Sequence, residues 1–258
     1  MINDNESDGD DSNSSEESED YIEWTDVEYD KWINEGCRVD ENINKLIINN
    51  TCVESLIGFN NLYNLIELDC DDNNIESLEG INNLAQLRVL MCDNNKIKSL
   101  NAIKNLINLQ LLSCSNNKIE SLMCISKLTN LEELYCNSNQ IESLDGIHNL
   151  RNLRVLSCDD NMIESLICIN NLKFLEILNC NNNQIRSLDG INNLLSLRYI
   201  WCNNNHIESL EEIKNLINLD NINCRHNKIQ SLTHIRDLKC LKIFDCSNNK
   251  LVSLEGIN

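Results

Sequence analysis

Residues 62–83 read LYNLIELDCDDNNIESLEGINN, and the fold follows from how this stretch repeats. Its cysteine, Cys70, recurs every 22 residues without a slip, at Cys92, Cys114, Cys136, Cys158, Cys180, Cys202, Cys224 and Cys246. Aligned on that column, the chain repeats the pattern L-x-x-L-x-x-L-x-C-x-x-N-x-I-x-S-L-x-x-I-x-x. A fixed period of this size marks a solenoid. Each unit has too few apolar positions to bury a core alone, so stacked neighbours share one. A degenerate unit precedes the nine, with Ile43, Leu46, Ile48, Thr51, Val53, Leu56 and Phe59 in the same phase. Ile48 takes the cysteine place and Thr51 the asparagine place, so ten strands are expected.

Each column has a physical reason. Leu68 and Cys70 are two residues apart, and on a strand they face the same way, inward. The asparagine column is complete: Asn73, Asn95, Asn117, Asn139, Asn161, Asn183, Asn205, Asn227 and Asn249. A side-chain amide carries donors and an acceptor, so stacked asparagines can satisfy backbone groups where the chain leaves the sheet. The serine column, from Ser55 through Ser77 and Ser99 to Ser253, precedes Leu-x-x-Ile. It reads as the cap of a short turn or 3₁₀ segment on the opposite side.

Leu65, Leu68, Cys70, Asn73 and Ile75 match the leucine-rich repeat signature L-x-x-L-x-L-x-x-N/C-x-L, and the resemblance covers residues 43–258. It implies an α/β solenoid. A curved parallel sheet would line the concave side, with short turns or 3₁₀ segments on the convex side and a helix capping the N-terminal end. The 22-residue unit resembles the short class found in internalins and in the leucine-rich regulator of a protein phosphatase. Cysteine as the last strand residue, with abundant Asn, Ile and Lys and no proline, resembles repeat proteins of giant viruses.

Fourteen cysteines could suggest a disulfide framework, but the spacing argues otherwise. Parallel strands lie about 4.8 Å apart with parallel Cβ vectors, whereas a disulfide needs Cβ atoms about 3.5–4.5 Å apart. A straight column also cannot converge four ligands on zinc. The ladder is expected to be buried, protonated thiol acting as apolar core. Cys124 and Cys168 take the place of Gly80, Gly146 or Gly190 and read as fill, and Cys240 replaces a polar residue. Cys37 and Cys52 flank the first strand and could bridge in an oxidising setting. Residues 1–20 contain no apolar run of a signal peptide, so a reduced, intracellular and cytoplasmic protein is expected, in the host cytoplasm if viral.

The chain divides into an acidic tail (1–20), a helical cap (21–42) and the repeat array (43–258). The net charge is −20, and residues 1–42 hold 16 of the 41 acids but 2 of the 21 bases. The tail is serine-rich and lacks bulky apolar residues, which predicts disorder. Ser7 and Ser14 each have an acid three residues on, as acidophilic kinases prefer. Thr25 and Glu28 form a capping box, Trp24 and Tyr29 a hydrophobic staple, and Gly36 a C-terminal cap. A helix near 26–35 is expected to cover the first strand, with Val27 and Trp32 on one face. The strand around Ile243 to Cys246 is expected to be an uncovered edge that could self-associate.

Acidity argues against nucleic acid and anionic membrane. The four histidines fall in different columns, and no nucleophile–base pair or phosphate loop appears among seven glycines. The Asp-rich turns at Asp71-Asp72, Asp93 and Asp159-Asp160 lack the spaced ligands of a calcium loop. No catalytic residue, metal or cofactor is therefore assigned. The expected function is a scaffold that binds a protein on its concave face. The alternative is an adaptor recruiting a phosphatase or ubiquitin ligase through the acidic N-terminus. On the outward strand columns Tyr199 and Trp201 share a face, with Arg198 and Arg225 near and Tyr135 three strands away. These five residues are the candidate anchors. The neighbouring column alternates in sign from Glu132 to Lys242 and reads as cross-strand support.

Overall fold

The computed structural model describes residues 22–36 and 43–256. The acidic tail, Cys37 with its suggested bridge to Cys52, and residues 257–258 lie outside the described residues. The elements are β1 (Ile22–Glu23), α1 (Asp26–Asn34), β2 (Lys45–Ile47), β3 (Glu67–Asp69), β4 (Val89–Met91) and β5 (Leu111–Ser113). They continue with β6 (Glu133–Tyr135), β7 (Val155–Ser157), β8 (Ile177–Asn179), β9 (Tyr199–Trp201), β10 (Asn221–Asn223) and β11 (Ile243–Asp245). All pair in parallel and in sequence order, with each residue opposite the one 22 later from β2 onward. The structure is a leucine-rich repeat solenoid with one continuous core.

Eleven strands form among the described residues, not ten. The extra one, β1, pairs with β2 in the register Ile22↔Leu46. The N-terminal segment therefore covers the sheet edge with a strand, then turns into α1. The Thr25–Glu28 capping box is present, and Gly36 follows the helix with φ +80°. Trp24 and Tyr29 both pack on Trp32 and Phe59, with ring centroids 5.1–6.4 Å apart. Tyr29 also donates its hydroxyl to Ser55 O. Phe59 is fully buried beneath this aromatic cap.

Two ladders lock the register. Asn95 shows the first: its Nδ2 donates to Cys70 O at 2.9 Å, Cys92 O at 3.3 Å and Asp93 O at 3.0 Å, while its Oδ1 accepts from Ile75 N at 2.9 Å. One amide thus ties two repeats, and the arrangement recurs to Asn249. An unmet buried group would cost about 1–3 kcal/mol. The ladder cysteines from Cys70 to Cys224 are buried, and Cys70 Sγ donates to Met91 O at 3.2 Å. Burial pushes these thiols up, Cys202 to about 12, so they stay protonated. The described cysteines are all free.

The serine column caps the convex side. Ser77 Oγ accepts from Glu79 N at 3.1 Å, and Ser99 from Asn101 N at 3.2 Å. In the first unit Gly58, at φ +100°, precedes a 3₁₀ turn at Phe59–Asn61, and from the next unit on one position decides the shape of the convex segment. At Gly80 φ is +111°, and an added Cβ would sit 1.9 Å from Leu56 O of the preceding repeat. Where that place is Ala102, Cys124, Cys168, Glu212 or His234, the segment forms a 3₁₀ turn instead. Cys124 and Cys168 are therefore half-buried members of 3₁₀ turns rather than substitutes within a glycine turn. The backbone takes another route around their side chains.

At the far end, no strand among the described residues pairs with the outer edge of β11. Ile243 is 57% exposed, and Leu241, Phe244 and Leu251 are half-buried where their counterparts are fully buried.

Candidate functional site: the concave face

In most strands the middle residue is buried while its two neighbours face outward, half-buried. These outward positions make the concave surface. On β9, Tyr199 and Trp201 are adjacent on that face, with ring centroids 5.9 Å apart and planes tilted by 36°. They are half-buried rather than fully exposed. Arg198 brings its guanidinium carbon 5.6 Å from the Tyr199 ring centre. Such a contact between cation and ring is attractive, though weak at an exposed site.

Arg198 also pairs with Asp220, which Lys242 reaches from the other side at 2.9 Å. The Lys242 and Arg198 contacts hold the Asp220 carboxyl below the usual carboxylate range. The sign-alternating column thus produces ion pairs at Arg154–Glu176 (3.4 Å) and around Asp220. Arg225 is exposed and 3.6 Å from Asp245. A shallow recess of about 420 Å³ borders the patch, lined by Glu176, Ser196, Arg198, Asn218, Asp220 and Cys240.

The structure brings Arg198, Tyr199 and Trp201 together and sets Arg225 on the neighbouring repeat, on the same side as Trp201. Tyr135 stands apart. Its hydroxyl donates to Glu133 Oε2 at 2.7 Å on its own strand, and burial raises its pKa to about 12. Two further neighbours carry no signal in the repeat pattern. Asn221 and Asn223 on β10 stand opposite Tyr199 and Trp201 in register, and their Oδ1 atoms are buried with no hydrogen bond.

A second polar ladder also goes beyond the sequence reading. The residue after each of several ladder cysteines accepts from the next repeat's backbone. Asp71 Oδ1 takes Asp93 N at 2.5 Å, Asp93 takes Ser115 N at 2.5 Å, and Asn181 takes Asn203 N at 2.7 Å. The Asp and Asn bias of that column is visible in sequence, but its partners lie 22 residues away. Burial raises Asp71 to about 7, with Asp69, Asp93 and Asp72 adding repulsion, and it raises Asp93 and Asp159 as well. The next residue in the turn sits at φ near +50°, which Asn and Asp tolerate. His226 occupies that turn position, 3.2 Å from Asn248 Nδ2. Among the described residues no group of three or more His, Cys, Asp or Glu is placed to hold a metal ion. No described helix is long and apolar enough to cross a membrane.

A family model described as Leucine Rich repeats (2 copies) matches residues 129–173 and 173–215. A search of curated proteins finds no match. Among solved structures, the internalin InlF of Listeria monocytogenes is similar with a TM-score of 0.73 at 26% identity, over 84% of this chain and 70% of that one. Internalin C2 of the same organism is similar with a TM-score of 0.69 at 30% identity, over 70% of this chain and 80% of that one. The functional domain of InlJ, also from Listeria monocytogenes, includes a cysteine ladder. It is similar with a TM-score of 0.57 at 25% identity, over 83% of this chain and 55% of that one.

Proposed function

We propose that this chain, which belongs to the leucine-rich repeat family, is a non-catalytic scaffold that binds a protein partner on the concave face of its sheet. Proteins of this family commonly mediate protein–protein interaction. The observation that carries the reading is the Tyr199–Trp201 pair. Two large aromatics share one outward face of a three-residue strand, beside Arg198 and near Arg225. Aromatic and arginine side chains in this setting are the usual anchors of interfaces. Tyr135, three strands away, is a separate contact point, about 14 Å off at strand spacing.

Replacing Trp201 by alanine tests this. The ring is outside the core, so melting should change little, while recovery of partners from the native cell should fall. Unchanged recovery would remove the patch from the account. The adaptor reading assigns enzyme recruitment to residues 1–20, and deleting them would then cost only the enzyme. The cytoplasm is the proposed location. The outer edge of β11, unpaired among the described residues, is the proposed point of self-association, which a strictly monomeric light-scattering result at high concentration would refute.

A further inference from the structure

The outward positions of β2–β8, with the residue after each cysteine, carry carboxylates at Glu67, Asp69, Asp71, Asp93, Glu133 and Asp159. All six are half-buried. Lys45 is the base on those columns over this stretch, and it is 3.1 Å from Glu67. The bases Arg88 and Arg154 lie just ahead of their strands, at the opposite rim. The first strand column carries an apolar stripe of Val89, Leu111, Val155 and Ile177, each half-buried, which follows Glu67 and is interrupted by Glu133.

This face is short of positive charge where its carboxylates crowd. Asp71 lies among Asp69, Asp72 and Asp93, and only hydrogen bonds within the array offset their repulsion. Further along, the Asn221 and Asn223 amide oxygens beside the aromatic pair accept no hydrogen bond. Both features call for donors and cations, while the stripe calls for apolar contact. An anionic partner would meet repulsion along the whole rim.

We infer that the concave face docks a cationic segment of a protein, one whose lysines or arginines alternate with apolar side chains. The inference rests on the scaffold reading and adds the chemistry of the partner. Its cations would lie along the Asp71–Asp93–Asp159 rim and at Glu133, which interrupts the stripe, and its apolar groups on Val89, Leu111, Val155 and Ile177, with the aromatic pair at one end.

The probe is a rhodamine-labelled dodecapeptide of alternating arginine and leucine, titrated by fluorescence anisotropy into the full chain at about pH 8.5, above the range in which Asp71 titrates. A glutamate–leucine peptide is the control. The arginine peptide should bind, the control should not, and affinity should weaken about tenfold from low to physiological salt. The triple variant Asp71→Asn, Asp93→Asn, Glu133→Gln keeps one accepting oxygen in each side chain and should lose about tenfold in affinity. Glu120→Gln, Glu142→Gln, Glu164→Gln removes the same charge from exposed positions off the sheet and should bind as the parent does.

Equal losses in both variants would mean that the peptide feels only the net charge, which overturns the inference. So would absence of binding. Either result, obtained while Trp201→Ala still loses its cellular partners, leaves the scaffold reading standing. The scaffold reading fails separately, through unchanged partner recovery by Trp201→Ala.

Discussion

Replacing Asp71 by asparagine should stabilise the protein at neutral pH. The Asp71 carboxyl accepts Asp93 N inside a half-buried rim, and burial with three neighbouring carboxylates raises its pKa to about 7. The native state therefore holds the Asp71 proton more tightly than the unfolded chain does. Below about pH 4 both states are protonated, and Asp71 costs nothing. As pH rises from 4 towards 7 the unfolded chain ionises first, so stability falls. Above 7 the full penalty is present. A shift of about three units corresponds to a ceiling of about 4 kcal/mol, which screening by the water around a half-exposed group reduces to about 1–2 kcal/mol. Asparagine keeps the accepting oxygen without the charge, as Asn181 does for Asn203 N in the same column. The variant should thus melt about 2–6 °C higher at pH 8 and equally at pH 4. Scanning calorimetry across that range reads both. A variant less stable at pH 8, or a difference independent of pH, would refute the electrostatic account of this rim.

Four further outcomes are expected. Asn161→Ala leaves Ile141 N without its acceptor and strips donors from Cys136 O and Cys158 O, so urea unfolding should show a loss of about 2–4 kcal/mol. Gly146→Ala places a methyl 2.4 Å from Leu122 O at a φ of +102° and should cost about 1–3 kcal/mol by thermal melting. Ala102→Gly, at the equivalent place in a 3₁₀ turn, should cost less than about 1 kcal/mol. In native protein, an aromatic disulfide reagent should label Cys52 and Cys240 quickly, while the ladder thiols Cys92, Cys114, Cys136, Cys158, Cys180 and Cys202 react only on unfolding. Fast labelling of the ladder in the native state would contradict its inert role.

The repeat is legible because its causes are periodic. A buried Leu or Cys every 22 residues and an Asn bridging two units leave the same letters in every row. What escapes is non-periodic or depends on a neighbouring row. The strand Ile22–Glu23 is two residues in an acidic segment, and only its pairing with β2 reveals it. The choice between a left-handed glycine turn and a 3₁₀ turn depends on whether a Cβ meets the previous repeat's carbonyl, as at Gly80 and Ala102. The Asp and Asn column after each cysteine reads in sequence as a turn. Its side chains in fact build a second ladder to the next repeat. The pairing of Tyr199 with Trp201 follows from strand alternation, whereas the bond from Tyr135 to Glu133 and the unbonded oxygens of Asn221 and Asn223 need side-chain positions.

The central claim is that partners meet the outward columns of the sheet and not the convex turns. A photoactivatable cross-linking residue placed at Ile177, on the concave stripe, or at Ile167, exposed in a convex 3₁₀ turn, tests it directly in the native cell. The account predicts a discrete cross-linked partner from position 177, lost when Trp201 is also replaced by alanine, and none from position 167. The same partner captured from 167 and not from 177 would contradict it.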